Sequence, residues 1–312
     1  MNLYIFSKDP QVCLMVKWIF KKAGESKAKN VDAIDTKMGS IIDWSTRAEY
    51  YHVNWVKENV GPFKATAKLI DALKVEPNDF VLDLACGTGA VSKEISHHLT
   101  RAGALVGIDL SSTALSIANS WVSSSFPHNN KCFIQMDAEN IGLKSIFSKV
   151  TCQYALSFFP NPARAMREVR DVMKSQGKVG VVVHGTEEGV PYLSAISGPI
   201  SKYMPKRISK GLLSVHQFGR PEDLRELMID AGFSNVSISK FTFDYEAGSF
   251  EDYWSGYFLN GYGNALNRVV FTKKNESAIR KIRSEAKEIA SRYIKNDTIQ
   301  FPWEVHIATA CS

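Results

Sequence analysis

Val81-Leu82-Asp83-Leu84-Ala85-Cys86-Gly87-Thr88-Gly89-Ala90 is the stretch whose reading decides the fold. An apolar run of strand length ends on an acidic residue, passes through Gly-x-Gly and enters a segment patterned as a helix. The chain there presents the free amides of a helix N-terminus. Glycine at these positions lets a ligand approach the backbone, which any side chain would prevent. Asp109 closes the next apolar run, 22 residues beyond Gly87. That is close to the spacing of about 20 at which an acidic residue reaches a ribose diol. Together the two parts imply a bound nucleoside.

Working outward, apolar runs at 80–85, 104–109, 132–137, 150–156 and 178–184 mostly lack the alternation of a half-exposed strand. Helical stripes lie between them: Val91, Ile95 and Leu99; Ala114, Ala118 and Trp121; and a segment opened by Asn161-Pro162 that carries Ala163, Met166, Val169 and Met173. Strand and helix alternating at roughly 25-residue intervals make right-handed crossovers, so the fold class is α/β, a doubly wound and mostly parallel sheet. Residues 1–40 read as an appendage, in which Lys21, Lys22, Lys27 and Lys29 have Glu25 as the one acidic residue among them. Within 41–312, residues 41–75 read as N-terminal helices opened by Asp43-Trp44-Ser45, and 76–185 as the ligand-binding core. Residues 186–216 read as an irregular insertion at the carboxyl edge of the sheet, and 246–300 as a helical segment shaping a second pocket. Strand-like runs at 235–243 and 304–310 complete the pattern.

Composition narrows the classes. With 45% hydrophobic and 22% charged residues the chain is globular rather than disordered. The net charge of +6 is dispersed rather than gathered into one basic tract, which is weak support for a nucleic-acid partner. Five scattered cysteines without Cys-x-x-Cys argue against a disulfide framework and a zinc site, and no metal is expected. The apolar stretch 12–20 contains Lys17 and is shorter than the roughly 18 residues of a membrane span. A cytoplasmic protein fits best.

A dinucleotide enzyme would use the same Gly-x-Gly and distal acid, but the third glycine of Gly-x-Gly-x-x-Gly is replaced by Ser92. Asp137 follows the third strand, so three acidic strand ends stand without nearby basic residues. That set suits a ligand carrying positive charge better than a pyrophosphate. At this point the sequence resembles class I S-adenosylmethionine-dependent methyltransferases, in the small-molecule group that includes the ubiquinone/menaquinone biosynthesis enzymes. The carrying residues are Asp83 to Gly89, Gly107-Ile108-Asp109-Leu110-Ser111, Met136-Asp137-Ala138-Glu139 and Ser157-Phe158-Phe159-Pro160-Asn161.

The resemblance implies a Rossmann-like seven-stranded sheet of order 3-2-1-4-5-7-6, with residues 304–310 as the antiparallel seventh strand. It implies S-adenosyl-L-methionine as cofactor. Asp83 and the backbone around Ala85, Gly87 and Gly89 would hold the methionine portion, and Asp109 the ribose hydroxyls. Leu110 would pack on adenine, Asp137 and the Ala138 amide would read its edge, and Ser157 would lie near the sulfonium. For the aromatic residues Trp44, Tyr50, Tyr51 and Trp55 two readings stand, a lid over the cofactor or a helix packed by its aromatic face; the resemblance favours the lid around Tyr51.

The expected reaction is in-line methyl transfer to a small-molecule acceptor. Phe241, Phe243, Tyr245, Tyr253, Trp254, Tyr257 and Phe258 suggest a partly apolar acceptor pocket. His184, at the end of the fifth strand, is the best-placed general base if the acceptor loses a proton, with His216 second. The alternatives are a nucleic-acid methyltransferase, suggested by the basic run 202–210, and a non-catalytic S-adenosylmethionine-binding protein. Spacing names neither the acceptor atom nor the oligomeric state.

Overall fold

The computed structural model describes residues 5–6, 19–20, 44–203, 214–257 and 275–312. Nine strands form one sheet: β1 (Ile5–Phe6), β2 (Phe80–Leu84), β3 (Ala104–Asp109), β4 (Asn130–Gln135), β5 (Phe147–Gln153), β6 (Met173–His184), β7 (Ser234–Gly248), β8 (Ile294–Lys295) and β9 (Thr298–Cys311). The order is β1-β4-β3-β2-β5-β6-β9-β7, with β8 paired to β9. The expected order of seven is present as β4-β3-β2-β5-β6-β9-β7, in which only β7 and β9 run antiparallel to their neighbours. Two short strands raise the count beyond seven.

One of them comes from the N-terminal appendage. Ile5 and Phe6 pair antiparallel with Ile134 and Phe133, and farther on Ile19 is buried and its carbonyl accepts from the Lys144 amide at 2.8 Å. The Lys21–Lys29 group, Asp43, residues 204–210 of the basic run and Phe258 lie outside the described residues.

Helices cover both faces: residues 44–51 continuing into a π-helical turn His52–Val56 (α1), Thr66–Leu73 (α2), Ala90–His98 (α3), Ser112–Ser125 (α4), Pro162–Val172 (α5), Pro191–Tyr203 (α6), Pro221–Asp230 (α7), Phe250–Gly256 (α8) and Glu276–Ser291 (α9). The central strands read as continuous apolar runs because successive side chains alternate between two buried faces. Val81, Leu105 and Val182 join the core under α2, α3 and α6, while Leu82, Val106 and Val181 join the one under α5 and α7. The stretch expected to be an irregular insertion instead holds α6. Pro191 occupies its first turn, where no amide partner is needed, and Leu193, Ile196 and Ile200 are buried toward α9.

The β7–β9 ladder outgrows the rest of the sheet. β9 pairs with β6 only from Val305 onward, yet it pairs with β7 along Phe241–Gly248 back to Ile299. A two-stranded ribbon therefore projects past His184, beyond the carboxyl end of the parallel strands, and carries Phe243, Tyr245, Phe301 and Trp303.

Gly180 of β6 sits opposite Thr151, and a Cβ there would fall 2.7 Å from Leu69 Cδ1 and 2.8 Å from Leu73 Cγ. The α2 helix seats directly on this backbone. Gly180→Ala is expected to destabilise by about 1–3 kcal/mol through overpacking. Urea unfolding checks this, and an unchanged midpoint would refute the seating.

Candidate functional site

The site forms where β2 and β3 end. Ala85 and Gly87, both at φ 52°, and Gly89 at φ 94° turn the chain from β2 into α3. Gly87 faces open space, with nothing within 4 Å of an added Cβ. Gly89 has a different task, since its Cβ would meet Ala118 Cβ at 3.1 Å and Val122 Cγ2 at 3.2 Å. It lets α3 and α4 approach, the close-packing role that Ser92 does not supply.

Asp109 organises the loop. One carboxylate oxygen accepts from the Gly87 amide and the other from the Ser111 amide, each at 2.8 Å. The Cys86 amide donates to Ile108 O at 3.0 Å and the Met136 amide to Asp109 O at 3.0 Å, so the three strand tips are stitched together. Asp83 is buried and accepts from Ser92 Oγ at 2.6 Å and Thr151 Oγ1 at 2.8 Å. Desolvation outweighs these donors and pushes its carboxyl up to about 6, with the Asp109 charge adding to the rise. The Asp109 carboxyl is raised as well, by desolvation, against the opposing bonds from Ser111, Gly87 and Leu110.

A cavity of about 310 Å³ opens above these groups. Its walls include Asp83, Ala85, Gly87, Asp109, Leu110, Asp137, Ala138 and Tyr51. Glu139 adds a fourth carboxylate, and no Lys, Arg or His is among the described lining residues. Asp137 Oδ1 accepts from the Glu139 amide at 2.9 Å, and Glu139 Oε1 accepts from Asn161 N at 2.9 Å, which ties this wall to the cap of α5.

α1 closes the top, and the two readings of its aromatic residues divide along its length. Trp44 and Tyr51 line the cavity, with Trp44 edge-on to Phe158 at 5.4 Å and Tyr51 edge-on to Phe63 at 5.6 Å. Trp55 instead faces the core, stacked on Tyr245 of the ribbon at 5.5 Å, while Tyr50 is exposed. Ser45 Oγ and Ser111 Oγ lie 2.7 Å apart, joining α1 to the N-cap of α4. A Cβ on Gly61 would come within 2.1 Å of Trp55 Cζ3, so glycine after α1 is what admits that ring.

Three expected site residues are not in the cavity lining: Gly89, which packs α3 on α4, Ser157 and His184. Ser157 lies in the short 3₁₀ turn Leu156–Phe158; its neighbours Ala155 and Phe158 line the cavity and it does not. His184 is also outside the lining. It stacks on Tyr154 at 4.4 Å, and its Nδ1 accepts from the Trp303 indole N–H at 3.2 Å. Desolvation among these rings pushes its pKa down to about 3, with repulsion from a protonated His216 a smaller contribution, so the imidazole is neutral at physiological pH. His216 Nδ1 pairs with Gly185 O at 2.8 Å.

The sequence reading missed Thr88, Gln153, Phe63 and Tyr154, which all line the cavity. Gln153 did leave a signal, a polar side chain closing an apolar run at a strand tip. Thr88 Oγ1 and Gln153 Oε1 are buried without a hydrogen-bond partner. Orphaned polar atoms in a cavity wall that also holds four carboxylates and a set of apolar and aromatic side chains fit a ligand with both charged and apolar parts.

Comparison with known proteins agrees. Residues 81–177 match the family model described as a methyltransferase domain. Residues 81–177 thus form a methyltransferase domain. The chain is 29% identical over 178 residues to a ubiquinone/menaquinone biosynthesis C-methyltransferase of Blochmanniella pennsylvanica, covering 52% of this chain and 68% of that protein. It is 24% identical over 225 residues to a demethylmenaquinone methyltransferase of Oceanobacillus iheyensis, covering 69% and 88%. The match to the demethylmenaquinone methyltransferase of Lactobacillus johnsonii, 28% identical, spans 37% of this chain and only 48% of that protein. Among solved structures, a methyltransferase-like protein from Bacillus halodurans shares the fold with a TM-score of 0.53 at 21% identity, over 80% of this chain and 98% of that one. The methyltransferase domain thus contains the Gly-x-Gly loop, both strand-tip aspartates and the Asp137 wall.

Asp83 sets a pH dependence. Its folded pKa of about 6 lies above the reference 3.8, so it contributes stability that is complete below the reference value and is lost as pH rises through about 6. Two units correspond to on the order of 3 kcal/mol, and Asp83→Asn should flatten that slope in unfolding titrations. A cationic cofactor favours the ionised carboxylate. Binding at pH 6 should therefore release about half a proton and tighten between pH 5 and 7. Calorimetry in two buffers of different ionisation enthalpy reads this directly; proton uptake would reverse the sign and refute the assignment.

Proposed function

We propose that the protein transfers the sulfonium methyl of S-adenosylmethionine to an uncharged, largely apolar small molecule by in-line displacement. The observation that carries this reading is the cavity wall: four carboxylates, no cationic side chain among the described lining residues, and a cap of Trp44, Tyr51, Phe63, Tyr154 and Phe158. Ring faces attract a sulfonium and also accept a flat acceptor. A carboxylate or phosphate acceptor would find no counter-charge there. The relatives named for ubiquinone and menaquinone biosynthesis support an acceptor of quinone type.

The bound cofactor supplies an already activated methyl group, so the chain's own residues have to orient and exclude water. Asp109, fixed by two backbone amides, offers its remaining lone pairs to the ribose hydroxyls. Leu110 and Ala138 flank the base, Asp137 presents an acceptor to its edge, and Asp83 with the backbone at Ala85 and Gly87 holds the methionine portion. Gly89 supports the loop by seating α3 on α4. α1 shuts the cavity through the Ser45–Ser111 contact. We assign His184 to positioning: its neutral ring fixes the Trp303 indole and the face of Tyr154.

A nucleic-acid acceptor is disfavoured because phosphate recognition relies on Lys and Arg, which the described wall lacks. Among the described residues four cysteines are free, three of them buried, which supports a reducing cytoplasmic setting. No helix among the described residues is long and apolar enough to cross a membrane.

Incubation of the purified protein with methyl-labelled S-adenosylmethionine and either a small-molecule extract or total RNA and DNA tests the reading. Label is expected in the organic-soluble fraction together with S-adenosylhomocysteine. Label in nucleic acid, or tight binding without turnover on any acceptor, would overturn it.

A further inference from the structure

β7 closes one side of the sheet. It is 15 residues long, and β9 is its one strand partner among the described residues. An edge of that length presents unpaired backbone groups, which folds commonly shorten, bulge or cover. Here the register with β9 runs unbroken from Ser237 to Glu246. Side chains tend the two ends: Arg225 Nη1 of α7 donates to Val236 O at 2.6 Å, and Lys64 Nζ, from the turn before α2, donates to Asp244 O at 3.2 Å. The bond from Lys64 marks the Asp244 carbonyl as turned away from β9. Backbone groups alternate sides along a strand, so the N–H and C=O of Lys240 and Thr242 face the same open side.

The side chains along this edge complement themselves. Lys240, Thr242 and Asp244 are exposed on one face, while Phe241 and Phe243 lie partly buried on the other with ring centroids 5.6 Å apart. A second copy laid antiparallel along β7, with the two-fold axis at Thr242, sets Lys240 opposite the partner's Asp244 and Phe241 opposite the partner's Phe243, and symmetry repeats both pairs. Within one chain Lys240 already pairs with Glu304 at 3.2 Å and Lys295 with Asp244 at 3.5 Å. Across the axis Lys295, Asp244, the partner's Lys240 and the partner's Glu304 then alternate in sign. Moving the axis to Lys240 or to Asp244 would set like charges face to face, and moving it to Phe241 would leave Lys240 opposite Thr242 and Asp244 opposite Ile238. Charge therefore selects one register.

The flanking helices leave room for it. Leu224 and Met228 of α7 join the core on one face of the sheet, and Tyr253 and Trp254 of α8 join the core on the other. Antiparallel pairing brings the α7 end of one strand beside the α8 end of its partner, so these helices stand on opposite faces.

We propose that β7 is a homodimer interface, in which two copies pair antiparallel about Thr242 and continue the sheet from one protomer into the other. Thr242 exchanges both backbone bonds with its counterpart, and Lys240 does so with the partner's Asp244, whose carbonyl oxygen has a second lone pair beside Lys64.

Sedimentation of the full chain over a range of concentrations tests this, and a reversible dimer is expected. Lys240→Asp and Asp244→Lys, made singly, each place two like-charge pairs across the axis and should raise the dissociation constant about tenfold or more. The double variant restores opposite charges across the axis and should dimerise more tightly than either single one. The melting temperature of dilute protein checks that each variant is folded. Hydrogen exchange reads the backbone, where the amides of Lys240 and Thr242 should gain protection only as the dimer forms. A monomer at every concentration, a dimer indifferent to the single reversals, or no recovery in the double variant would overturn the proposal. So would protection of both amides in the dilute monomer, which would place another segment of the chain on this edge.

Discussion

Asp83 and Asp109 stand at adjacent strand tips with no cation between them, and much of the structure serves to keep them there. Water is excluded from Asp83, and the Asp109 charge adds to the cost of ionising it. Serine, threonine and backbone donors hold both carboxylates in place without neutralising them. A cationic ligand relieves that repulsion, so the same groups that make the empty pocket costly make the occupied one favourable. The function of the site and its local instability have one electrostatic origin.

The parallel sheet supplies the positions. Strand register sets Asp83 beside Gly107 and Thr151, and the absence of a side chain at Gly107 leaves space that Phe133 and Cys86 fill. Ala85 adopts a left-handed conformation that a residue with Cβ enters only at a cost of about 1–2 kcal/mol, and it does so where the chain must swing clear of the ligand. Gly89 then brings α3 against α4, so the loop is packed between the two helices.

The closing helix is held by a second, longer-range device. The β7–β9 ribbon extends past the parallel strands and offers Tyr245 to Trp55, while Trp303 joins Tyr192 by stacking at 5.1 Å and His184 through its indole N–H. α1 is therefore packed by one set of rings and faces the cavity with another. The two ends of α1 are thus held differently, by stacked rings around Trp55 and, near its start, by the Ser45–Ser111 hydroxyl contact and the edge of Trp44 on Phe158.

The order of the seven main strands followed from the family resemblance, while the α/β class, the glycine turn and both aspartates were legible in the sequence itself. They are written in local signals: unbroken apolar runs for doubly covered strands, helical stripes between them, and Gly-x-Gly after an acid. Other features depended on contacts between residues far apart in the chain. Ile5–Phe6 becomes an edge strand only because β4 offers a free edge, and Pro191–Tyr203 becomes a helix because α9 covers its apolar side. His184 had the right position in sequence to act as a base, but the indole of Trp303, 119 residues away, occupies its nitrogen and the surrounding rings exclude its charge. Local chain chemistry specified which elements form and where a nucleoside can bind; burial and pairing across the fold decided which polar atoms remain free to meet it.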